Sequence, residues 1–293
     1  MTLRHFKIFV TVCDTMNMTA AGEKLYLSQS AVSQAIAELE KYYDTRLFDR
    51  LSKKLYLTQS GSKLLSYARH IVHMNEETEL EMRVLQECGY IRIGASVTVC
   101  TCILPAIIAA FQEIKPNAKT EVYENNTEKI EAMLLQDQID IGVVEGLINS
   151  SDIFTKSFMQ DRLILVCGKQ HRFHNLSSVS PADLENENFM IREPGSGTRY
   201  TFEEVMNANH IRWRAGWTCN NTDTIKSAVA QGLGISVISE RAVQNDIARG
   251  DLIKLTIDNI EFLRDFTICY HKNKFLSETI KQFIDTVEAV SSS

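Results

Sequence analysis

The polar residues best placed for chemistry lie at the start of a helical pattern that runs from Gln29 to about Tyr42. Ser28 is a good N-cap for this helix. Several polar side chains lie near its N-terminal end, mostly away from the apolar face: Gln29, Ser30, Ser33 and Gln34. Glutamine can pair with adenine and serine with either base type, so these residues suit a helix that reads a DNA major groove. The pattern also fits a small helical bundle with a solvated polar face.

Two flanking segments extend this candidate surface. Thr19 lies upstream and is expected to cap a short second helix. Downstream, two short apolar segments flank Ser52-Lys53-Lys54, which predicts a β-hairpin with positive charge at its tip. Arg50, Lys53 and Lys54 could contact phosphates or a narrow minor groove.

The distribution of charge favours an anionic partner for the same region. The chain of 293 residues has a net charge of −6. Residues 1–63 nevertheless contain nine basic and six acidic residues, a net charge of +3, whereas the rest of the chain carries −9. Such asymmetry hints that one part of a chain meets an anionic polymer, although +3 is modest.

A second kind of chemistry is indicated by the turn Gly195-Ser196-Gly197-Thr198-Arg199, which follows a predicted strand and leads into a predicted helix. Backbone N–H groups and hydroxyls at a helix N-terminus make a pocket for an anion. The turn lacks the Gly-Lys-Ser/Thr end of a P-loop and the spacing of a hydrolase elbow. An ordinary flexible turn is the alternative. Two further groups could converge on it: Ser96, Thr98 and Thr101 after an earlier strand, and Asn221 with Thr222, where Thr222 is expected to cap a helix.

Strands and helices that alternate must position these groups. From residue 90 onward, strands are predicted near 90–94, 118–123, 139–144, 162–168, 188–192, 235–239 and 265–270, and helices near 102–114, 127–136, 198–209, 222–231 and 240–249. This order predicts an α/β fold with a mainly parallel sheet. Two α/β subdomains with a ligand cleft between them fit the length. We expect domains at 1–58, 59–88 and 89–293, the last divided into 89–161 with 266–293, and 162–265.

A long helical stretch over residues 59–88 connects the two regions. Its positions Leu64, Ala68, Ile71, Asn75, Thr78, Met82 and Leu85 alternate in steps of four and three, which is a heptad seam. The seam predicts a helix that pairs with a second copy of the chain. Packing of the helix on its own domain is the alternative.

Composition excludes several classes of protein. The hydrophobic fraction is 44% and the charged fraction 23%, which is typical of a globular chain and not of a disordered one. No apolar run is long enough to span a membrane, and the N-terminus lacks a signal sequence, so we expect a cytoplasmic protein. Seven cysteines are too few for a disulfide framework. The spacings Cys100-x-Cys102 and His171-x-x-His174 predict no metal site, and we expect the histidines in a surface loop.

The N-terminal region resembles a known family in residue order and spacing. The residues that carry the resemblance are Ala20-Ala21, Leu25, Ser28-Gln29-Ser30-Ala31-Val32-Ser33, Ile36, Leu39-Glu40, Leu47-Phe48-Asp49-Arg50, Leu57-Thr58 and Gly61. They resemble the winged helix-turn-helix of LysR-type transcriptional regulators. Tyr43-Asp44 stands where the family usually has a glycine, and Met16-Asn17-Met18 replaces its usual turn, which leaves the class unchanged.

The resemblance implies a sequence-specific DNA-binding regulator controlled by a small molecule. It implies a C-terminal effector domain similar to periplasmic binding proteins. The partners it implies are double-stranded DNA with an inverted-repeat promoter site, a second copy as homodimer or homotetramer, and RNA polymerase. An enzyme or a transport-type binding protein is the alternative, but neither needs a winged helix, and no catalytic pair or cofactor motif is evident.

The cleft residues predict an anionic effector. Hydroxyls at several helix starts could bind an anion, and Arg199 could add charge-assisted bonds. Glu145 and Asp223 count against this, since carboxylates left unpaired in the cleft would favour an amine. We expect Glu145 to be paired with Arg199.

Overall fold

A computed structural model describes residues 1–51, 54–83 and 89–291, which form two compact units. The first unit holds residues 1–83 and the short segments 135–137 and 273–275, and the second holds the other described residues. The elements of the first unit are α1 (Leu3–Thr15), α2 (Met18–Leu25), α3 (Gln29–Tyr43), β1 (Phe48–Leu51), β2 (Lys54–Leu57) and α4 (Gln59–Arg83). None of the described helices is long and apolar enough to cross a membrane.

The first unit is built around one apolar core. Phe9, Val32 and Leu39 are fully buried in it, so the apolar faces of α1 and α3 pack together. This arrangement turns the polar residues of α3 outward. Strands β1 and β2 pair antiparallel, as the predicted hairpin requires.

The N-terminal cap of α3 agrees with the expectation, whereas that of α2 does not. Ser28 accepts a hydrogen bond from the Ala31 N–H and caps α3 as predicted. The cap of α2 is Asn17, whose side chain accepts from the N–H groups of Thr19 and Ala20. The expectation that Thr19 caps this helix is therefore wrong, because the helix begins one residue earlier, at Met18.

Helix α4 packs on its own unit over its N-terminal half. Ala68 is fully buried in the core of the unit, and Leu64 and Ile71 pack against the same core. These three seam positions are thus used within the chain. Ala68 is therefore closed to a second copy of the chain, whereas Leu64 and Ile71 are only half-buried, and pairing through the helix stays a prediction. Asn75 bonds to Glu79, and Leu85 lies outside the described residues.

The second unit combines a large mixed sheet with helices. Its elements are β3 (Tyr90–Ser96), α5 (Val97–Cys102), α6 (Leu104–Ile114), β4 (Lys119–Asn125), α7 (Thr127–Leu135), β5 (Ile141–Glu145), β6 (Ile153–Gly168), β7 (Ser178–Val179), a 3-10 helix (Pro181–Leu184), β8 (Asn188–Arg192), α8 (Gly197–Ala208), β9 (Arg214–Cys219), α9 (Thr222–Ala230), β10 (Ser236–Ser239), α10 (Glu240–Ala248), β11 (Leu252–Ile257), β12 (Phe262–His271) and α11 (Glu278–Ser291).

The sheet is not mainly parallel, which corrects the prediction. The order β4-β3-β5-β12-β6-β11-β7 has parallel pairs at β3–β4, β3–β5 and β11–β7. Strand β12 runs antiparallel to both β5 and β6, and β10 and β11 run antiparallel to β6. Strands β6 and β12 are long, so they run through the predicted limits at 161/162 and 265/266. The carboxyl ends of β3 and β5 bring Ser96 and Glu145 to one edge.

Candidate functional site

The predicted DNA-reading residues lie on one exposed face of α3. Gln29 donates from Nε2 to Ser33 Oγ at 2.7 Å, and the Ser28 and Ser30 hydroxyls are 2.9 Å apart. Gln34 donates to Glu38 Oε1 at 2.9 Å. Donors and acceptors thus line a surface of one helix, as contact with base edges requires.

A groove joins this face to the hairpin. It has a volume of about 860 Å³ and is lined by Met16, Asn17, Met18, Gln29, Lys54, Leu55 and Tyr56. Lys54 therefore lies beside the start of α3, and Thr19 is exposed on α2 nearby. The backbone of Arg50 lies in β1, whereas Lys53 lies outside the described residues. Lys54 is therefore placed to contact a DNA phosphate while the polar side chains of α3 contact base edges.

In the second unit, a carboxylate occupies the centre of the predicted ligand cleft. Glu145 is only 1% exposed at the end of β5. It accepts hydrogen bonds from the hydroxyls of Ser96 and of Thr98, the latter at 3.1 Å. The Nη1 atom of Arg264 lies 3.6 Å from its Oε1. Two of the predicted hydroxyl donors therefore already bind a carboxylate of the chain itself.

Arg264 connects this carboxylate to the opposite wall of the cleft. It donates from Nε to Asp161 Oδ2 at 2.8 Å and from Nη1 to Thr198 Oγ1 at 2.9 Å, and its Nη2 lies 2.8 Å from the same Asp161 oxygen. Ser239 donates to the other oxygen of Asp161 at 2.8 Å. The expectation that Glu145 pairs with Arg199 is wrong, since Arg264 lies closer through strand β12 and Arg199 bonds to Glu203.

Charge in this cluster is nearly balanced. Burial raises the pKa of Glu145, and the charges of Arg264 and Arg192 oppose that rise. Arg192 forms two bonds with Glu193, and Arg241 lies 3.9 Å from Asp161. Three guanidinium groups (Arg192, Arg241 and Arg264) thus face three carboxylates (Glu145, Asp161 and Glu193). The net charge of this cluster therefore neither strongly repels nor strongly attracts an anion.

The start of α8 has hydrogen-bond donors that do not take part in the network around Arg264. Ser196 is 3% exposed, and its Oγ has no hydrogen-bond partner among the described residues. The N–H groups of residues 197–199 open the helix and have no carbonyl partner within it. Beside them is a pocket of about 270 Å³, lined by Thr127, Glu128, Leu147, Asn149, Pro194, Gly195, Ser196, Gly197, Arg199, Tyr200 and Glu203. A small oxygen-rich group could accept bonds from these donors.

Glycine permits the close approach of the two cleft walls. A Cβ on Gly197 would overlap the carbonyl oxygen of Glu145. Gly146 has φ +86° and faces Gly197 directly. On the same side, Asn126 donates to Glu193 at 3.1 Å, and the Glu128 N–H donates to the Gly195 carbonyl at 3.1 Å.

Four residues that were considered for the cleft do not join this cluster. Thr101 is exposed, and its hydroxyl bonds back to the Val97 carbonyl within α5. Asn221 is exposed and caps α9 by accepting from the Thr224 N–H. The cap is therefore Asn221, and the expectation that Thr222 fills this role is wrong. Asp223 is exposed and pairs with Lys226 at 3.0 Å, so it adds no unpaired negative charge to the cleft.

Burial determines the environments of Cys100, Cys102 and His171. The described cysteines are free thiols. Burial raises the pKa of Cys100 to about 12 and that of Cys102 to about 11, which disfavours thiolate chemistry. His171 and His174 lie in the turn that follows β6, as expected, and His174 is exposed. The His171 side chain is buried and lies 3.0 Å from Glu187 through Nε2.

Two family models match nearly the whole chain. The model for the bacterial regulatory helix-turn-helix protein of the lysR family matches residues 3–62, and the LysR substrate binding domain matches residues 85–292. The chain belongs to the LysR family of transcriptional regulators. It therefore has a helix-turn-helix DNA-binding domain and an effector-binding domain, as the motifs of residues 1–61 and the cleft indicated.

Known proteins of the LysR family resemble it along its length. It is 32% identical to the HTH-type transcriptional regulator CysL of Bacillus subtilis, over 88% of this chain and 87% of that protein. A full-length OxyR variant from Pseudomonas aeruginosa has a TM-score of 0.71 at 20% identity, over 98% of this chain and 94% of the other. The regulatory domain of Synechocystis CcmR, solved with 2-PG, has a TM-score of 0.65 at 25% identity, over 70% of this chain and 98% of that chain.

The LysR-type cleft contains two central residues that sequence reasoning missed. Arg264 and Asp161 are both buried, although their neighbours along β12 and β6 alternate between buried and exposed. A charged residue on the inward face of an alternating strand is the signal that could have found them. Arg264 lies between Phe262 and Phe266 on that face.

Proposed function

We propose that this chain is a regulator, and not an enzyme, whose binding to promoter DNA is controlled by a small anionic effector held at the start of α8. The observation that carries the proposal is the buried hydroxyl of Ser196, which has no partner among the described residues and lies at the N-terminus of α8. Burying such a hydroxyl without a bond costs about 1–3 kcal/mol, so a ligand that accepts from it gains that amount back.

The size and charge of the site limit the effector. A pocket of about 270 Å³ lies just below the usual range for drug-sized ligands, which favours a small molecule. The N–H groups of a helix start favour a negative group. Glu145 does not oppose this, because Arg264 and two hydroxyls already satisfy it.

The effector is tested by titration of the full-length protein with sulfate, phosphate and small carboxylates, followed by calorimetry. A Ser196→Ala variant should bind the active anion about tenfold more weakly, as expected for the loss of one hydrogen bond to a charged group. Thr101→Ala is the matched control, since that hydroxyl bonds only within its own helix. Equal affinity in wild type and Ser196→Ala would show that α8 is not the cradle.

The same proposal assigns the DNA interface and the partners. Thr19, Ser28, Gln29, Ser30, Ser33 and Gln34, with Arg50, Lys53 and Lys54 of the hairpin, would contact a duplex with inverted-repeat half-sites. A two-fold dimer or tetramer would present two such heads, and RNA polymerase would be the next partner. Replacing Lys53 and Lys54 with alanine should weaken binding to specific and unspecific duplexes alike and lower the salt slope by about 2. An unchanged slope in a filter-binding or anisotropy assay would rule out the hairpin contact.

A further inference from the structure

A chain of hydrogen bonds joins the start of α1 to the exposed face of α3. His5 Nε2 lies 2.7 Å from Glu38 Oε2, and Gln34 Nε2 donates to Glu38 Oε1 at 2.9 Å. On the other side of the imidazole ring, the Thr2 N–H donates to His5 Nδ1 at 3.1 Å. The chain of bonds runs along a groove of about 250 Å³ that separates the two helices.

The direction of each bond follows from the donors available. An ionised Glu38 can only accept, so His5 Nε2 carries a proton and donates to it. The Nδ1 atom of His5 lies 3.1 Å from the Thr2 backbone nitrogen and 2.7 Å from the Thr2 hydroxyl. The bond from His5, with that from Gln34, lowers the pKa of Glu38, so this carboxylate is ionised at neutral pH. An ionised carboxylate only accepts, and Gln34 therefore turns its NH2 group toward Glu38 and its carbonyl oxygen away.

We infer that His5 and Glu38 are positioning residues for base recognition, which hold the Gln34 amide in one orientation on the DNA-reading face. The inference rests on the proposed reading of DNA by α3. Gln34 is exposed and has a second amide proton beside its carbonyl oxygen, so it can still bond in pairs to adenine N7 and N6. When the NH2 group and the carbonyl oxygen of Gln34 have fixed positions, they match an adenine on only one of the two DNA strands. An amide that can flip exchanges these two positions, so it no longer distinguishes the strands.

A purely structural role for these bonds makes a different prediction. A bond that only fastened α1 to α3 would need His5 and Glu38 alone, whereas here the second carboxylate oxygen is bonded to a residue of the reading face. Loosening the two helices would lower the affinity for every sequence and lower Tm. Loss of positioning would instead change the preference at one base pair and leave the others unaltered.

Selection from a pool of DNA duplexes with a randomised central segment, using the full-length protein, distinguishes the two roles. His5→Phe removes the donor and keeps a ring, and Glu38→Gln removes the fixed acceptor. Both should lose about tenfold in discrimination at the base pair that Gln34→Ala also affects. His5→Gln, which keeps a donor near the Nε2 position, should retain it. Glu23→Gln, an equal loss of charge at an exposed position of α2, should leave the profile unchanged.

Two results would overturn the positioning role. One is a wild-type profile for His5→Phe and Glu38→Gln in the presence of a changed profile for Gln34→Ala. The other is a uniform loss of affinity at all positions together with a lower Tm, which the fastening role predicts. A wild-type protein that enriches no sequence from the pool would overturn the proposed function itself, and is recognised because all variants then behave alike.

Discussion

At the residue scale, Arg264 is the buried cation that compensates two buried carboxylates. It is 7% exposed and lies against Asp161 and Glu145. Arg264→Met keeps the length of the side chain and removes its charge. We expect the free energy of unfolding at neutral pH to fall by about 3–5 kcal/mol, because charges are left buried without a partner. Denaturant titration measures this.

The same variant has a defined pH dependence. Without Arg264, the pKa of Glu145 in the folded state rises further above its unfolded value, because burial already raises it. The loss of stability caused by the buried charge of Glu145 is complete above the folded-state pKa. It disappears as the pH falls toward the unfolded-state pKa, because Glu145 is then protonated in the folded protein. The stability deficit relative to wild type should therefore shrink as the pH is lowered from neutral toward the pKa of an unfolded glutamate. Arg162→Met is the control, because Arg162 is exposed and lies 3.5 Å from Glu261, and its deficit should stay below about 1 kcal/mol.

Site residues that belong to short motifs could be predicted from the sequence, whereas the residues that contact them from distant parts of the chain could not. Ser96, Thr98, Glu145, Ser196 and Thr198 do meet in one cleft, because each follows a recognisable strand or begins a helix. Their shared partner could not be found in this way. Arg264 is separated from Asp161 by 103 residues and from Thr98 by 166, and no local pattern encodes contacts over such distances.

At the element scale, α4 is divided between two roles. Ala68 in its first half is fully buried in the core of its own unit, whereas Met74 in its second half is 42% exposed and is open to self-association. Met74→Glu should weaken self-association by at least tenfold, because a charge would enter an apolar contact. Sedimentation over a concentration series measures this. Met16→Glu is the matched control, since Met16 is 39% exposed and lies outside α4. Identical association in both variants would remove α4 from the interface.

Element types were easier to predict than strand directions. The alternation of apolar runs with helical patterns located β3, β5, β8 and β10 and the helices α7 to α10. It failed for direction, because a buried apolar strand has the same pattern whether its neighbour runs parallel or antiparallel. It also missed β9, whose residues are mostly exposed, and β11, where polar and apolar residues mix.

At the scale of the whole molecule, the regulator requires that effector binding and DNA binding change each other. The walls of the cleft touch at Gly146 and Gly197, so a Cβ at residue 197 must move them apart. Gly197→Ala should therefore shift the effector-binding domain toward an open form and weaken effector binding. The apparent dissociation constant then rises by the inverse of the fraction that remains competent. Calorimetry with the anion that binds wild type measures this rise.

The coupling itself has a quantitative signature. If the effector changes the affinity for promoter DNA by some factor, DNA must change the affinity for the effector by the same factor, because both measure one free-energy difference. Factors of about 5 to 150 are typical. Titration of effector into the free protein and into the protein saturated with its selected duplex gives one factor, and titration of duplex with and without effector gives the other. The two should agree in wild type and fall together in Ser196→Ala. A factor of 1 in both directions would mean that the anion binds at a site that does not control DNA binding.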